Sequence, residues 1–348
     1  MKIKPLVAMM AVLATSVAMP VSADIVLDKE KKVSLFGDLR IRGERDDSEK
    51  ADASERDRER FRYRARLGVK FAPAAHWQGQ IRMATNSGGL NSPHSDFSTD
   101  NSQGADFGID QAYLTYRASD DAAWMVGKMP LAFWNTTETF WDEDINIEGG
   151  AFVYTKGNFT FNATYAVLNE GGFGRDTSAF LAQGIYKNGN LKVALGNVSV
   201  DAPSGVFQAE QHFAVIAEYQ YNAFQYSAEY INSDAESESV AYTLQARYKI
   251  SDSLGLRAYW FHTEAFSVLG DGTYGQDDFP NPNSTGVSNF EGIRLQLDYQ
   301  INPKIAFDLK WFDMERIEDA SALSTTTSDA IFNEPHRTRL QFNLNYKF

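Results

Sequence analysis

The sequence predicts an all-β fold, a transmembrane antiparallel β-barrel of about sixteen strands with long extracellular loops and short periplasmic turns. Three observations carry this expectation. The first is the stretch Arg58–Phe71, R-E-R-F-R-Y-R-A-R-L-G-V-K-F. From Arg60 every second residue is basic or small, and the residues between them are apolar. Successive strand side chains point to opposite faces, so a strand here has one apolar face and one face of guanidinium groups. The second is the order of the connections, which alternate long and polar with short. The third is the closing segment Arg337–Phe348, in which Thr338, Leu340, Phe342, Leu344, Tyr346 and Phe348 alternate with polar residues. A soluble strand would turn its apolar face inward, whereas a membrane barrel turns it to lipid and the polar face to a wet lumen.

The expected strands follow in chain order. Val33–Arg45 sets Leu35, Leu39 and Ile41 against Asp38, Arg40 and Arg42. A polar loop over Asp46–Asp57 leads into the arginine ladder. Trp77–Asn86, Gly108–Arg117, Ala123–Met129 and Gly149–Thr155 complete the first half. The second half runs through Phe159–Leu168, Ser178–Lys187, Leu191–Val200, Gln211–Asn222, Phe224–Asn232 and Ser239–Ile250. It ends with Leu254–Phe266, Phe290–Ile301, Ile305–Arg316 and Arg337–Phe348. Asn188-Gly189 is a two-residue hairpin signal. Aromatic residues recur beside the short turns, as at Phe71 with Trp77, Tyr116 with Trp124, and Tyr221 with Phe224. Rings at that height are expected to form an interfacial girdle.

Residues 1–23 read as a secretory signal peptide: Lys2 and Lys4, the apolar Leu6–Val17, then the small-residue site Val21-Ser22-Ala23. Residues 24–32 are expected to be a short periplasmic segment, and 33–348 the barrel. No later run is apolar and long enough for a membrane helix. The chain has no cysteine, which fits a bacterial envelope and excludes thiolate metal sites and a thiol nucleophile. The formal net charge is -13, which argues against nucleic-acid binding. The five histidines stand in no H-x-x-x-H pair and no G-x-S-x-G occurs, so no enzyme is expected.

By parity, Arg40, Arg42, Arg60, Arg62, Arg64, Arg66, Lys70 and Arg82 share the polar face of the first three strands. Arg294, Arg337, Arg339 and Lys347 do so far along the chain, and closure of the last strand on the first would join them into one basic sector. The third long connection, Pro130–Glu148, carries Glu138, Asp142, Glu143, Asp144 and Glu148. It lies either outside the barrel, with solvated acids, or inside it. Its Asp142-x-Asp144-x-Asn146-x-Glu148 spacing starts like a calcium loop but lacks the glycine and the final glutamate, so no metal and no cofactor is expected. Asp271, Asp277 and Asp278 could meet divalent ions at the lipopolysaccharide surface, or be solvated loop charge.

The terminal strand ending in Phe348, the connection rhythm and the Gly127–Gly150 region resemble a bacterial outer-membrane porin of the sixteen-stranded general and putative porin family. The resemblance implies that Phe348 is part of the signal read by the barrel-assembly machinery. It implies that the third loop folds inward, its acids facing the arginines, although the common P-E-F-G-G-D signature is absent. It also implies a water-filled channel for passive diffusion of small hydrophilic solutes, lodged among outer-membrane lipid and lipopolysaccharide, and a homotrimer. The arginine track leaves open a substrate-specific channel or exporter for acidic sugars or polymers. A barrel sheath around a partner protein is a further alternative.

Overall fold

A computed structural model describes residues 24–30, 32–49, 55–86, 92–97, 104–172, 174–203, 209–275, 288–319, 321–323 and 331–348. The expected leader lies outside them. Sixteen long strands form one antiparallel sheet in chain order. They are β1 Val33–Glu49, β2 Glu55–Ala74, β3 Trp77–Thr85, β4 Phe107–Arg117, β5 Ala122–Pro130 and β6 Asn146–Lys156. Next come β7 Phe159–Asn169, β8 Thr177–Asn188, β9 Leu191–Asp201, β10 Glu210–Tyr221 and β11 Phe224–Ser233. The last are β12 Val240–Lys249, β13 Leu254–Thr263, β14 Phe290–Asn302, β15 Ile305–Arg316 and β16 His336–Lys347. Strand β16 pairs with β1 from His336↔Glu49 to Lys347↔Asp38, so the sheet closes and leaves no edge in lipid. The Phe348 amide donates to the Gly37 carbonyl and the Gly37 amide to the Phe348 carbonyl, at 3.1 and 3.2 Å.

One expected boundary moves, for a physical reason. Within the polar stretch 46–57, residues 46–49 and 55–57 are strand rather than loop, because charges pair across the β1–β2 ladder: Asp46 with Arg58 at 2.7 Å, and Arg45 with Glu59 at 3.5 Å. Only 50–54 separate these two strands. Before the first strand, residues 24–30 lie against the barrel. Ile25–Val26 pairs with the start of β1, and Asp24 meets Lys70 at 2.8 Å. The hairpin expected at Asn188-Gly189 closes one residue later, with Asn188 paired to Leu191 and Gly189 at φ 56°.

The outer face is apolar and carries aromatic rows near the short turns. Trp77 meets Tyr116 at 4.9 Å, Trp124 meets Phe152 at 4.5 Å, and Phe224 stacks on Tyr248 at 4.7 Å. Side chains that alternate out and in give the interior two unlike halves. Strands β14–β16 and β1–β4 turn charges and amides inward. Strands β7–β12 turn small and aliphatic residues inward, among them Ala166, Leu181, Val198, Ala214 and Ile231. Polar side chains stand among them on the same inner face, including Asn162, Gln183, Lys192, Glu229 and Thr243.

At the seam, the rings of Phe61 and Phe342 meet edge to face at 6.2 Å over Gly43. A Cβ on Gly43 would lie 2.1 Å from Phe342 Cε1. Gly43→Leu is therefore expected to destabilise closure by about 1–3 kcal/mol through overpacking. The readout is the temperature at which the folded, fast-migrating band is lost on gels.

Candidate functional site: the lumen and its inward loop

The third loop, residues 131–145, leaves β5 at Pro130 and folds into the barrel. Its apolar side chains decide this. Phe133, Trp134, Phe140 and Trp141 are buried in one core with the apolar inner wall. Phe133 sits in a notch at Gly196, where a Cβ would be 2.6 Å from Phe133 Cζ. Gln183 brackets Trp134, accepting its amide N–H and donating Nε2–H to its carbonyl, both at 2.7 Å. Lys192 Nζ lies 3.6 Å from the centre of a Trp134 ring.

The loop's tip is fixed by one carboxylate. Glu229 accepts the amide N–H and hydroxyl of both Thr136 and Thr137, the Thr137 pair at 2.7 and 2.6 Å. Thr139 and Thr243 hydroxyls are 3.0 Å apart. From the extracellular side, the connection 264–275 closes over the loop. The Tyr274 carbonyl accepts the Asp142 amide at 2.8 Å, and its ring stacks on Trp141 at 5.2 Å.

Opposite the core, the arginine ladder is bound into an ion-pair lattice. Asp144 on the loop bridges Arg64 at 2.8 Å and Arg66 at 2.7 Å, and Asp38 bridges the same two at 3.0 and 2.7 Å. Glu44 takes Arg60 at 2.5 Å and Asp46 takes Arg339 at 2.5 Å. Arg62 reaches Asp96 at 2.9 Å, while its NH2 donates to Ser92 Oγ and to the His94 carbonyl at 3.1 and 3.2 Å. Arg42 Nε donates to Asn343 at 2.7 Å, and Arg337 pairs with Glu334 at 2.9 Å. Arg42, Arg64, Arg337 and Arg339 are almost wholly buried. Burial together with Arg42, Arg64, Arg40 and Arg62 holds the His94 ring well below the ordinary histidine pKa, so it is neutral.

A lumenal cavity of about 440 Å³ remains between the loop and the charged wall. Arg40, Arg66, Arg82 and Arg294 border it, as do Glu138, Glu143 and Asp144. Arg294 lies 3.7 Å over the Tyr259 ring, and Arg82 pairs with Asp110 at 2.5 Å. The remaining arginines named from sequence lie behind these, in the lattice. Asp142 is buried in the loop's own turn, where its Oδ1 accepts the Asp144 amide at 2.7 Å. Glu148 is not on the loop. It stands on β6 and pairs with Lys128 at 2.8 Å. Among the described residues no cluster of metal-ligating side chains occurs. Asp277 and Asp278 lie outside the described residues.

A closed sixteen-strand barrel with a polar lumen, narrowed by its third loop, defines the class of fold: this is a porin-like barrel. In sequence, residues 48–188 match the model of the Putative porin family. No curated protein matches the chain in sequence. Among solved structures it is similar to outer-membrane-expressed OmpT of Vibrio cholerae, at 13% identity and TM-score 0.57, over 93% of this chain and 100% of that one. The in-vitro-folded trimer form of OmpT gives 14% and 0.58, over 91% and 99%. OmpF of Salmonella typhi in complex with daunomycin gives 12% and 0.58, over 92% and 99%. At these identities the likeness is one of fold.

Sequence reasoning did not assign Glu229, Gln183 or Gly196 the task of holding the loop. The available signal was the run of alanine, leucine, isoleucine and valine on the inner parity of β8–β10, which calls for a covering segment. Glu229→Ala removes the acceptor of four hydrogen bonds and leaves buried donors unmet, which costs about 1–3 kcal/mol for each that stays unsatisfied. The variant is expected to show larger and noisier single-channel conductance in planar bilayers.

The pH response of the loop follows from Asp144. Burial raises its carboxyl pKa, but Arg64, Arg66, Arg40 and Arg82 outweigh burial and hold it at about 2. The folded value is depressed, so this stabilisation is present above the unfolded value near 3.8 and is lost as pH falls through about 2. Heat stability from this node should therefore hold from pH 7 to about 4. Asp144→Asn should lower it at pH 7 by about 3–5 kcal/mol, read by thermal unfolding.

Proposed function

We propose that the barrel is a diffusion channel for small hydrophilic solutes in a Gram-negative outer membrane, reached after cleavage of residues 1–23. The pairing of charges around the cavity carries this reading. Arg66, Arg82 and Arg257 are neutralised by Asp144, Asp110 and Asp298. Arg40 donates through Nε to Asn345 at 2.6 Å, and neither it, Lys347 nor Glu143 has an ion pair among the described residues. Arg40 and Lys347 on the β1–β16 wall and Glu143 on the loop thus oppose one another across water. Such opposed charges set up a transverse field that orders polar solutes and disfavours apolar ones. The trimer form of Vibrio cholerae OmpT supports extending a trimeric state to this chain.

A second reading, a selective channel for acidic sugars, is favoured by Arg40 standing beside the Asn345 amide, a pairing suited to a carboxylate. Saturable block by a uronate would distinguish it from the first.

Reversal potentials in a salt gradient test the field. The double variant Arg40→Gln with Lys347→Gln should shift permeability toward cations, and Glu143→Gln toward anions, each several-fold in order of magnitude. Unchanged potentials in both would remove these groups from selection.

A further inference from the structure

Two hairpins of the β8–β13 wall set like charges directly opposite one another. Lys187 on β8 is the ladder partner of Lys192 on β9, and Arg247 on β12 is the partner of Arg257 on β13. All four side chains point into the lumen. Lys187 follows buried Leu181, Gln183 and Ile185 at every second position, and Lys192 shares the parity of buried Ala194. Arg247 follows buried Ala241 and Thr243, whereas Leu244 and Tyr248, of the other parity, are exposed. Arg257 borders the lumenal cavity.

Both pairs lie at the periplasmic end. Lys187 and Lys192 flank the Asn188–Leu191 hairpin, and Gln183, which brackets Trp134 of the third loop, is four residues further up β8 than Lys187. Arg247 and Arg257 stand one inward position above Lys249 and Gly255, where the next short turn closes.

Like charges directly opposite across a ladder destabilise a sheet unless countercharge stands among them. In the arginine ladder it does: Asp38, Glu44 and Asp144 sit between Arg40, Arg64, Arg42 and Arg62. On the β8–β13 wall the supply is short. Asp298 is taken by Arg257 through two hydrogen bonds, at 2.6 and 2.9 Å. Glu218, opposite Lys192, accepts from Gln225 Nε2 at 2.8 Å. Lys187, Lys192 and Arg247 have no ion pair among the described residues, and Lys192 rests on the Trp134 ring instead.

We propose that this wall is a binding site for multiply charged anions, solutes carrying two or more carboxylate or phosphate groups, at the periplasmic mouth. The inference rests on the channel reading above and adds a second recognition point, across the lumen from Arg40 and Lys347. A guanidinium takes a carboxylate or phosphate through paired N–H donors, and an ammonium takes one as a point charge. Strands β9 and β12 are three strand spacings apart, about 14 Å along the wall and less across its concave face, so one oligoanion can touch both pairs. A monovalent anion meets one pair and passes, whereas an oligoanion is held by both and blocks the passage. The bound anion also relieves the repulsion within each pair, so it stabilises the fold.

The test uses the full-length protein in planar bilayers in potassium chloride. Sodium tripolyphosphate and citrate are the probes, and sodium sulfate at matched ionic strength is the control. Both probes should block the wild type, from one compartment at about a tenfold lower concentration than from the other. The double variant Lys187→Gln with Arg247→Gln should raise the half-blocking concentration about tenfold. Tripolyphosphate should raise the unfolding temperature of the wild type and leave that of the variant in place. Block by tripolyphosphate alone supports the site with phosphate as its ligand, and block by citrate alone supports it with carboxylate. No block, equal block from both compartments, sulfate blocking as well as the probes, or an unchanged half-blocking concentration in the variant would each overturn the proposal. Channels that conduct chloride but ignore both probes leave the porin reading intact, whereas protein that forms no channel overturns both.

Discussion

One carboxylate, Asp144, joins the two halves of the interior. It belongs to the third loop, yet its oxygens are held by Arg64 and Arg66 of the second strand. Without it the upper end of the loop would have apolar packing but no link to the charged wall. Without the loop, Arg64 and Arg66 would keep Asp38 alone as an ion-pair partner, with Arg40 set directly opposite Arg64 across the ladder. Like charges facing across a ladder repel, and buried unpaired charge is costly, so the ladder and the acids need each other.

The remainder of the lumen follows from that division. The dry half is a small hydrophobic core inside a membrane protein, built from loop aromatics against alanines, valines and a glycine notch. It fixes the loop's position to within a side chain. The wet half is then a narrow passage with one wall of the loop and one wall of the barrel. On its rim Arg66, Arg82 and Arg257 are paired with acids, whereas Arg40, Lys347 and Glu143 have no ion pair among the described residues, and in the proposed channel these are groups that would act on a passing solute.

Much of the fold was legible because a strand's period of two leaves a direct trace in sequence. The ladder of Arg60–Arg66, the terminal strand and the sequence Ile305–Arg316 have the predicted faces and nearly the predicted ends. The segment 46–57 misled because polarity was equated with loop, whereas charges paired across a ladder extend a hairpin into water. Glu148 misled for a related reason. Proximity in sequence to the acidic loop suggested a shared role, but one further residue of strand turns a side chain to the other face of the sheet.

The sequence by itself determined the closed barrel, its sidedness of long and short connections and the inward parity of the arginines. Those features are local: alternation, turn residues and charge are properties of a few neighbouring positions. Only the tertiary structure decided which arginines border water and which are sealed behind Asp38, Glu44 and Asp46. It alone decided that Glu229 grips the loop, and that Lys128 and Glu148 look outward. Those depend on which distant residues the closed sheet brings within about 3 Å of each other, the reach of a hydrogen bond, and no periodicity along the chain encodes that.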